Sequence, residues 1–518
     1  MRKSGASKLP RQVYLRRRLF LAVAVLAFLG AVIWTLRPGS EPTSKAQDSS
    51  SAQVSSASST KSSPDSNPSK KSSVQRPKIV EPPPSDLAYP GFYPPYYEIE
   101  AKYTESPRTI SGTEKLQYVN AEDKPMTELK FQVWTNEDVF TERGGGTQVR
   151  NATVDGEKAR LKLKGTAFTL ELPEPMPVGD TADISFEFET SIPEIEAPFG
   201  HYQGVSSLGV WYPMLAVYDE DGWNISPPTD FGEPYFAGAS NYKVSLTLPK
   251  DLSPAATGIE TESERVGEFR TFTYEAEAVR DFALAIGDNF AVESRKVGDT
   301  TVNVHYRPES AFRATRTAEL AAASLQTFSE IYGPYPYKEL EIVDAPLITG
   351  TEYSGLTFVS IANSEDYIFD TVVPHEVAHQ WWYVKVGSDQ FESPWLDESL
   401  ATYSEWLFTG DADTRFPTLL EPYAPLDSPV DAFPDTGTYQ NTIYVYGAQL
   451  YRDLAYEIGQ ETLFAGLRTY ANQNDHKITT AEDLVQTLSE AAGEDLWPFF
   501  EARGITRETS DKEKSPDQ

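Results

Sequence analysis

The stretch VVPHEVAHQWW, Val372 to Trp382, sets two histidines four residues apart with a glutamate directly after the first, in a chain that holds only five histidines. At positions i and i+4 of a helix, two imidazoles project from one face about 5–6 Å apart, within reach of a single metal ion. Glu376 then lies one step round the helix, beside such an ion rather than on it. The apolar surroundings predict a helix over about residues 369–384, with Pro374 in its first turn. The pattern H-E-x-x-H on a helix is a signature of zinc-dependent hydrolysis, with the glutamate as general base. Five letters also recur by chance, and a lone buried histidine is more often a packed core residue, so a third ligand has to decide.

That ligand is sought outward along the chain. Nineteen residues after His379 comes Glu398, in WLDESLATYSEW (395–406), a segment with a helical pattern predicted over 397–409. A second helix would bring its carboxylate to the ion and complete a His/His/Glu set, the three-protein-ligand arrangement of catalytic zinc sites. This donor set favours zinc over cobalt or manganese. Glu405, seven residues on, returns to nearly the same face. There it either supports a ligand histidine through a hydrogen bond or is a solvated helix charge.

Further out, the period of the sequence divides the chain. From about Tyr89 to Val292, segments such as YEIEAKY (97–103), EKLQYV (114–119), LKFQVW (129–134), FTLEL (168–172), ISFEFE (184–189) and YKVSLTLP (242–249) alternate apolar and polar residues. Period two marks strands with one buried face, and the Gly, Pro and Asp turns between them predict an antiparallel sandwich or saddle. No chemical constellation is visible there. YDEDGWN (218–224) lacks the spaced ligands of a calcium loop and reads as a solvated acidic turn. After about residue 300 the period lengthens. Helices are predicted over 309–333, 441–458, 460–472 and 480–489, with strands at ELEIVDAPL and GLTFVSIA (355–362). The fold class expected is α+β multidomain: a β-rich domain over 89–295, then a mixed α/β domain over 296–505, with a polar, disordered tail over 506–518.

HEVAHQWW together with WLDESLATY resembles the aminopeptidase-N-type family of zinc metallopeptidases, the gluzincin aminopeptidases that include leukotriene hydrolase. GWN at 222–224, the strand-rich front part and VRDFALAIG (279–287) extend the resemblance over most of the chain after the first 88 residues. It implies a thermolysin-like catalytic domain behind the β domain, one zinc ion held by His375, His379 and Glu398, and Glu376 as base. The Gly-x-Met-Glu-Asn-like loop of the family is matched by TGTEYSGLTF (349–358), so Glu352 is implied to bind the free amino group of a substrate, although Thr351 and Tyr353 replace Met and Asn. The strand that follows, GLTFVS, would be the edge along which a peptide pairs. The catalytic tyrosine of the family is implied at Tyr444 in IYVYGAQL (443–450), with Tyr439 and Tyr446 as competitors. The long helical C-terminal domain of many members has no counterpart, so a short form with a more open cleft is expected.

The expected reaction is removal of N-terminal residues from peptides by a zinc-bound water, with Glu376 as general base. Two alternatives stand beside it: a zinc endopeptidase with an open cleft, and a catalytically silent peptide-binding protein of the cell surface. A net charge of −32, from 45 basic and 77 acidic residues, argues against nucleic-acid binding. The absence of cysteine excludes disulfides and thiol chemistry. Leu19–Leu36 is 18 residues without a charge, roughly 27 Å as a helix, and seven basic residues precede it. It is expected to be an uncleaved signal-anchor, with residues 1–18 cytoplasmic and the catalytic body outside the cell membrane, or secreted if the signal is cleaved. Residues 37–88, rich in Ser and Pro, read as a disordered tether.

Overall fold

Alternation of apolar and polar residues builds the first half of the molecule. In β1 (Tyr96–Glu105), Tyr97, Ile99, Ala101 and Tyr103 are buried while the residues between them face outward. With β2 (Arg108–Val119), β3 (Gly146–Val154), β4 (Glu157–Lys158), β5 (Thr181–Ser191), β6 (Ser240–Pro249), β7 (Ile259–Val266) and β8 (Phe269–Val279) it forms an eight-stranded sheet in the order β7-β8-β6-β1-β2-β5-β3-β4. Two four-stranded sheets supply further strands of this half, and one core joins them; Phe131 and Phe168, from a sheet outside the eight, each set a ring edge-on to Phe186 of β5 at 5.4 Å. The expectation of a purely antiparallel sheet is corrected at one place: β1 and β6 pair in parallel, Ile99 opposite Val244. The long excursion between these two strands frees their direction from the constraint of a hairpin. Within YDEDGWN, Tyr218 and Asp219 pair with Trp223 and Gly222, and the Asp219 carboxylate accepts from Asp221 N at 2.9 Å and Asn224 Nδ2 at 2.8 Å.

The structure is a computed structural model that describes residues 93–219, 221–362, 366–411 and 421–507, the side chains of 366–368 excepted. The expected segments 1–18, 19–36 and 37–88 lie outside the described residues, as does the tail from 508 onward. Among the described residues no helix is long and apolar enough to cross a membrane.

The second half is a mixed sheet with helices. Its strands are β9 (Ala291–Val297), β10 (Thr300–Tyr306), β11 (Glu339–Asp344), β12 (Gly350–Tyr353) and β13 (Leu356–Val359), in the order β9-β10-β11-β13-β12. The central pairs are parallel and the outer two antiparallel. The boundary placed at 295/296 falls inside β9, which pairs with β10 and so goes with the second half. Its longer helices are α1 (Ala311–Tyr332), α2 (Asp366–Ala378), α3 (Trp395–Thr409), α4 (Gly447–Ile458), α5 (Gln460–Gln473) and α6 (Ala481–Ala492). They share a second core with β10, β11 and β13, in which Trp381, Trp382 and Trp395 are fully buried.

The helix expected at the histidines changes at both ends. The helix bearing the histidines runs from 366 to 378, so Pro374 sits inside it rather than in its first turn. The apolar run before Pro374 carries the helix upstream, and the ring costs it one backbone donor. Beyond Ala378 the backbone tightens into turns, with Gln380 N bonded to Val377 O and Trp381 N to Ala378 O.

One polar group in the first core stands out. Glu114 of β2 takes a core-facing place beside Ile110 and Leu116, is fully buried, and has no hydrogen-bond partner for either oxygen among the described residues. Burial pushes its carboxyl well above the usual range. It is therefore neutral when folded and ionised when unfolded at neutral pH. The folded state loses stability as pH rises above about 4.3, the unfolded-chain value. Glu114→Met is expected to stabilise the protein by about 1–3 kcal/mol at pH 8, with a smaller gain at pH 4. Thermal unfolding at the two pH values measures it.

Candidate metal centre and active site

α2 and α3 pack against each other so that the C-terminal turn of one faces the first turn of the other. His375 Nε2 and His379 Nε2 stand 3.1 Å apart. Glu398 Oε2 lies 3.2 Å from the first and 3.4 Å from the second. The triangle is thus nearly equilateral. Ligand atoms at about 2.0–2.1 Å from a tetrahedral zinc are separated by about 3.3–3.4 Å along each edge. Two neutral imidazoles and one carboxylate oxygen are also the donor chemistry such an ion takes, so the residues present fit it. His375, His379 and Glu398 are all at least largely buried.

Carboxylates surround the triangle and orient it. His379 Nδ1 donates to Asp397 Oδ1 at 2.5 Å, which turns Nε2 toward the centre. His375 Nδ1 faces Glu405 Oε2 at 3.5 Å. Burial by itself would push the His375 imidazole down, but Glu398 and Glu405 carry it up to about 10. Burial pushes Glu376 up to about 8, against the pull of the two imidazoles. An acid-rich pocket that draws protons in this way is one whose charge a divalent cation offsets.

Glu376 is 5 % exposed, and its Oε2 has no partner among the described residues. Its other oxygen lies against β12: a Cβ added to Gly350 would stand 2.4 Å from Glu376 Oε1 and 2.7 Å from its Cδ. The absence of a side chain at 350 is what lets the carboxylate lie there. Gly350→Ala is expected to displace it and lower kcat about a hundredfold with zinc content unchanged, since misplacement by about 1 Å costs that much. Steady-state rates and metal analysis on the same preparation check this.

Glu352 lies on β12, opposite Thr357, and accepts from Gln390 Nε2 at 2.8 Å. The expected edge strand GLTFVS is corrected: β13 has neighbours on both sides, and β12 itself is the edge. The turn at Ser354–Gly355 folds TGTEY back as a hairpin, so Glu352 is carried on the free margin. Tyr444 donates its hydroxyl to Glu398 Oε1 at 2.5 Å and stacks on His375 at 5.7 Å between centroids. It comes from Asn441–Tyr446, a single wide π turn in place of the regular helix expected from 441. Such turns recur at functional sites because they rotate one side chain out of the helical series. Gly447 permits the close approach of this turn to α3, where Ser399 Oγ bonds Ile443 O at 2.6 Å. Of the two competing tyrosines, Tyr439 is buried beside Phe433, and Tyr446 is half-buried.

Three residues at the centre were not singled out from sequence. Asp397 supports it from the first turn of α3, and Gln390 from the α2–α3 connection. Glu233 comes from the β-rich half, where no chemistry was expected; its carboxyl meets that of Glu352 at hydrogen-bonding range, and burial followed by the Glu352 charge pushes its pKa well up. Asp397 had one visible signal, its place next to the candidate ligand Glu398. Glu233 had none, because only the packing of the two halves brings it to β12.

The family model described as the Peptidase family M1 domain matches residues 424–502. Aminopeptidase 2 of Candida albicans is 24% identical over 426 residues, covering 71% of this chain and 43% of that protein. Aminopeptidase M1 of Arabidopsis thaliana is 23% identical over 290 residues, covering 49% and 33%. The chain therefore spans less than half the length of these relatives. The crystal structure of an M1 zinc metallopeptidase from Deinococcus radiodurans superposes with a TM-score of 0.60 at 18% identity, over 80% of this chain and 93% of that one. At that identity the likeness is one of fold.

Proposed function

We propose, from this chain's membership of the aminopeptidase-N-type (M1) family of zinc metallopeptidases, that it is a zinc metalloaminopeptidase releasing N-terminal residues from peptides. The observation that carries this reading is the triangle of His375, His379 and Glu398 donor atoms with the Glu376 carboxylate beside it. His375, His379 and Glu398 would hold one zinc ion, which would supply Lewis acidity toward a carbonyl and a water. Glu376 removes the proton from the attacking water and passes it to the leaving amine. Tyr444, kept protonated by burial, donates a hydrogen bond to the oxygen on which negative charge develops. Glu352, together with Glu233, binds the ammonium of the substrate. Two carboxyl groups at hydrogen-bonding range in a buried place are offset best by a cation, and the free amino end of a peptide supplies one.

Residues 19–36 are read as a signal-anchor that leaves residues 1–18 cytoplasmic and the catalytic body outside the membrane. Support comes from the uncharged run and the basic residues before it. Resistance to alkaline extraction, with cleavage by added protease in intact cells, is the expected behaviour.

The test of the activity uses the purified full-length chain in detergent, with and without chelator, on a peptide presented with a free or an acetylated N-terminus. Chelator-sensitive cleavage of the free form alone supports the aminopeptidase. Cleavage of both forms makes the protein an endopeptidase, and cleavage of neither removes the enzymatic reading.

A further inference from the structure

Between the metal-binding turn and α3, the chain buries an amide whose purpose packing does not explain. Gln390 is 3 % exposed. Its Nε2 lies 2.8 Å from Glu352 Oε1 and 2.5 Å from Asp397 Oδ2. An amide nitrogen has two hydrogens, one for each carboxylate. The other oxygen of Asp397 takes the Nδ1 proton of His379, whose Nε2 points into the ligand triangle. An unbroken line of hydrogen bonds therefore runs from Glu352 through Gln390 and Asp397 to His379.

The amide is costly to hold there. Its own carbonyl oxygen is buried without a partner among the described residues. An apolar side chain of the same length would fill the space without that cost. What the amide adds is a neutral donor serving two negative groups at once, with charge-assisted bonds that fix both. Without it, Glu352 and Asp397 face each other as like charges.

Resting on the proposed metalloaminopeptidase reading, we propose that Gln390 is a positioning residue that couples capture of the substrate ammonium at Glu352 to the zinc ligand His379. A change at Glu352 on binding an ammonium alters its share of the Gln390 amide. The amide then tightens or slackens on Asp397, and Asp397 sets the orientation and basicity of His379. Gln390 itself touches neither substrate nor metal.

The experiment measures two affinities on the full-length protein: zinc, by competition with a chromogenic chelator, and alaninamide, a small ligand with a free amino group, on the zinc-loaded form. Gln390→Met keeps the length and removes both donors. It is expected to weaken zinc and alaninamide about tenfold each. Asp397→Asn should mask the zinc effect, so that Asp397→Asn/Gln390→Met binds zinc as Asp397→Asn does. Glu352→Gln should likewise mask the effect on alaninamide. A merely structural role predicts losses that add in both double variants, and additivity overturns the inference. So does a Gln390→Met protein within twofold of wild type in zinc affinity. Gln390→Glu, nearly identical in shape and able to serve at most one of the two carboxylates, repeats the test if Gln390→Met does not fold. Failure of the underlying reading looks different: a wild-type protein without a tight zinc site overturns both, whereas a tight site indifferent to Gln390 overturns only the coupling.

Discussion

Replacing Glu376 by glutamine is expected to lower kcat about a thousandfold while one zinc per chain remains bound, as read from steady-state rates and metal analysis. Glutamine has nearly the shape of glutamate, so the fit against Gly350 survives. What is lost is the capacity to take a proton, and a positioned general base contributes about 10²–10⁴ in rate. The proposed ligand triangle does not include residue 376, so His375, His379 and Glu398 are expected to hold the ion still. Loss of zinc together with activity would place Glu376 among the ligands instead. Activity within tenfold of wild type would remove it from proton transfer altogether.

Tyr444→Phe carries the second large effect, a fall in kcat of about 10²–10³ at saturating zinc with KM changed less than threefold, because a donor aimed at a developing oxyanion is worth that much. The geometry adds a complication that the experiment has to separate. In the structure the hydroxyl bonds Glu398 Oε1, the oxygen of the ligand carboxylate that is turned away from the triangle. Its removal should also loosen zinc to a modest degree. Measuring kcat across a zinc titration divides the two: the affinity effect vanishes at high zinc and the effect on charge stabilisation persists. Full recovery of kcat at high zinc would make Tyr444 a support for Glu398 only. Tyr439→Phe is the companion variant: its ring stands edge-on to Tyr444 at 5.9 Å and its buried hydroxyl feels the Glu398 and Glu233 charges, so a loss of kcat as large as that of Tyr444→Phe would move the role to Tyr439.

The M1 relationship and the local geometry support each other at different points. The match to the family model lies over 424–502, after the histidines and Glu398. The convergence of those three residues is therefore an observation independent of that match. The span also includes the π turn that delivers Tyr444 to the ligand carboxylate.

The sequence by itself determined most of the elements and singled out the three side chains that the structure brings together. Period two over 97–249 reports a property of each strand alone, one face in water and one in the core, and the strands appeared where the alternation lay. Spacing of four between His375 and His379 is likewise local, because helix geometry converts it directly into a shared face. Glu398 required a helix–helix contact, yet a helical pattern so soon after the first leaves few places to go. Tertiary structure decided what depends on strand order and on packing between halves. It made β12 rather than β13 the edge, paired β1 with β6 in parallel, and carried Glu233 to Glu352. It placed Gln390 between two carboxylates that sequence treats as unrelated. Periodicity encodes which face of an element is buried. It does not encode which distant side chain that face will meet, since this is settled only when the elements close on one another and each buried charge must find its partner.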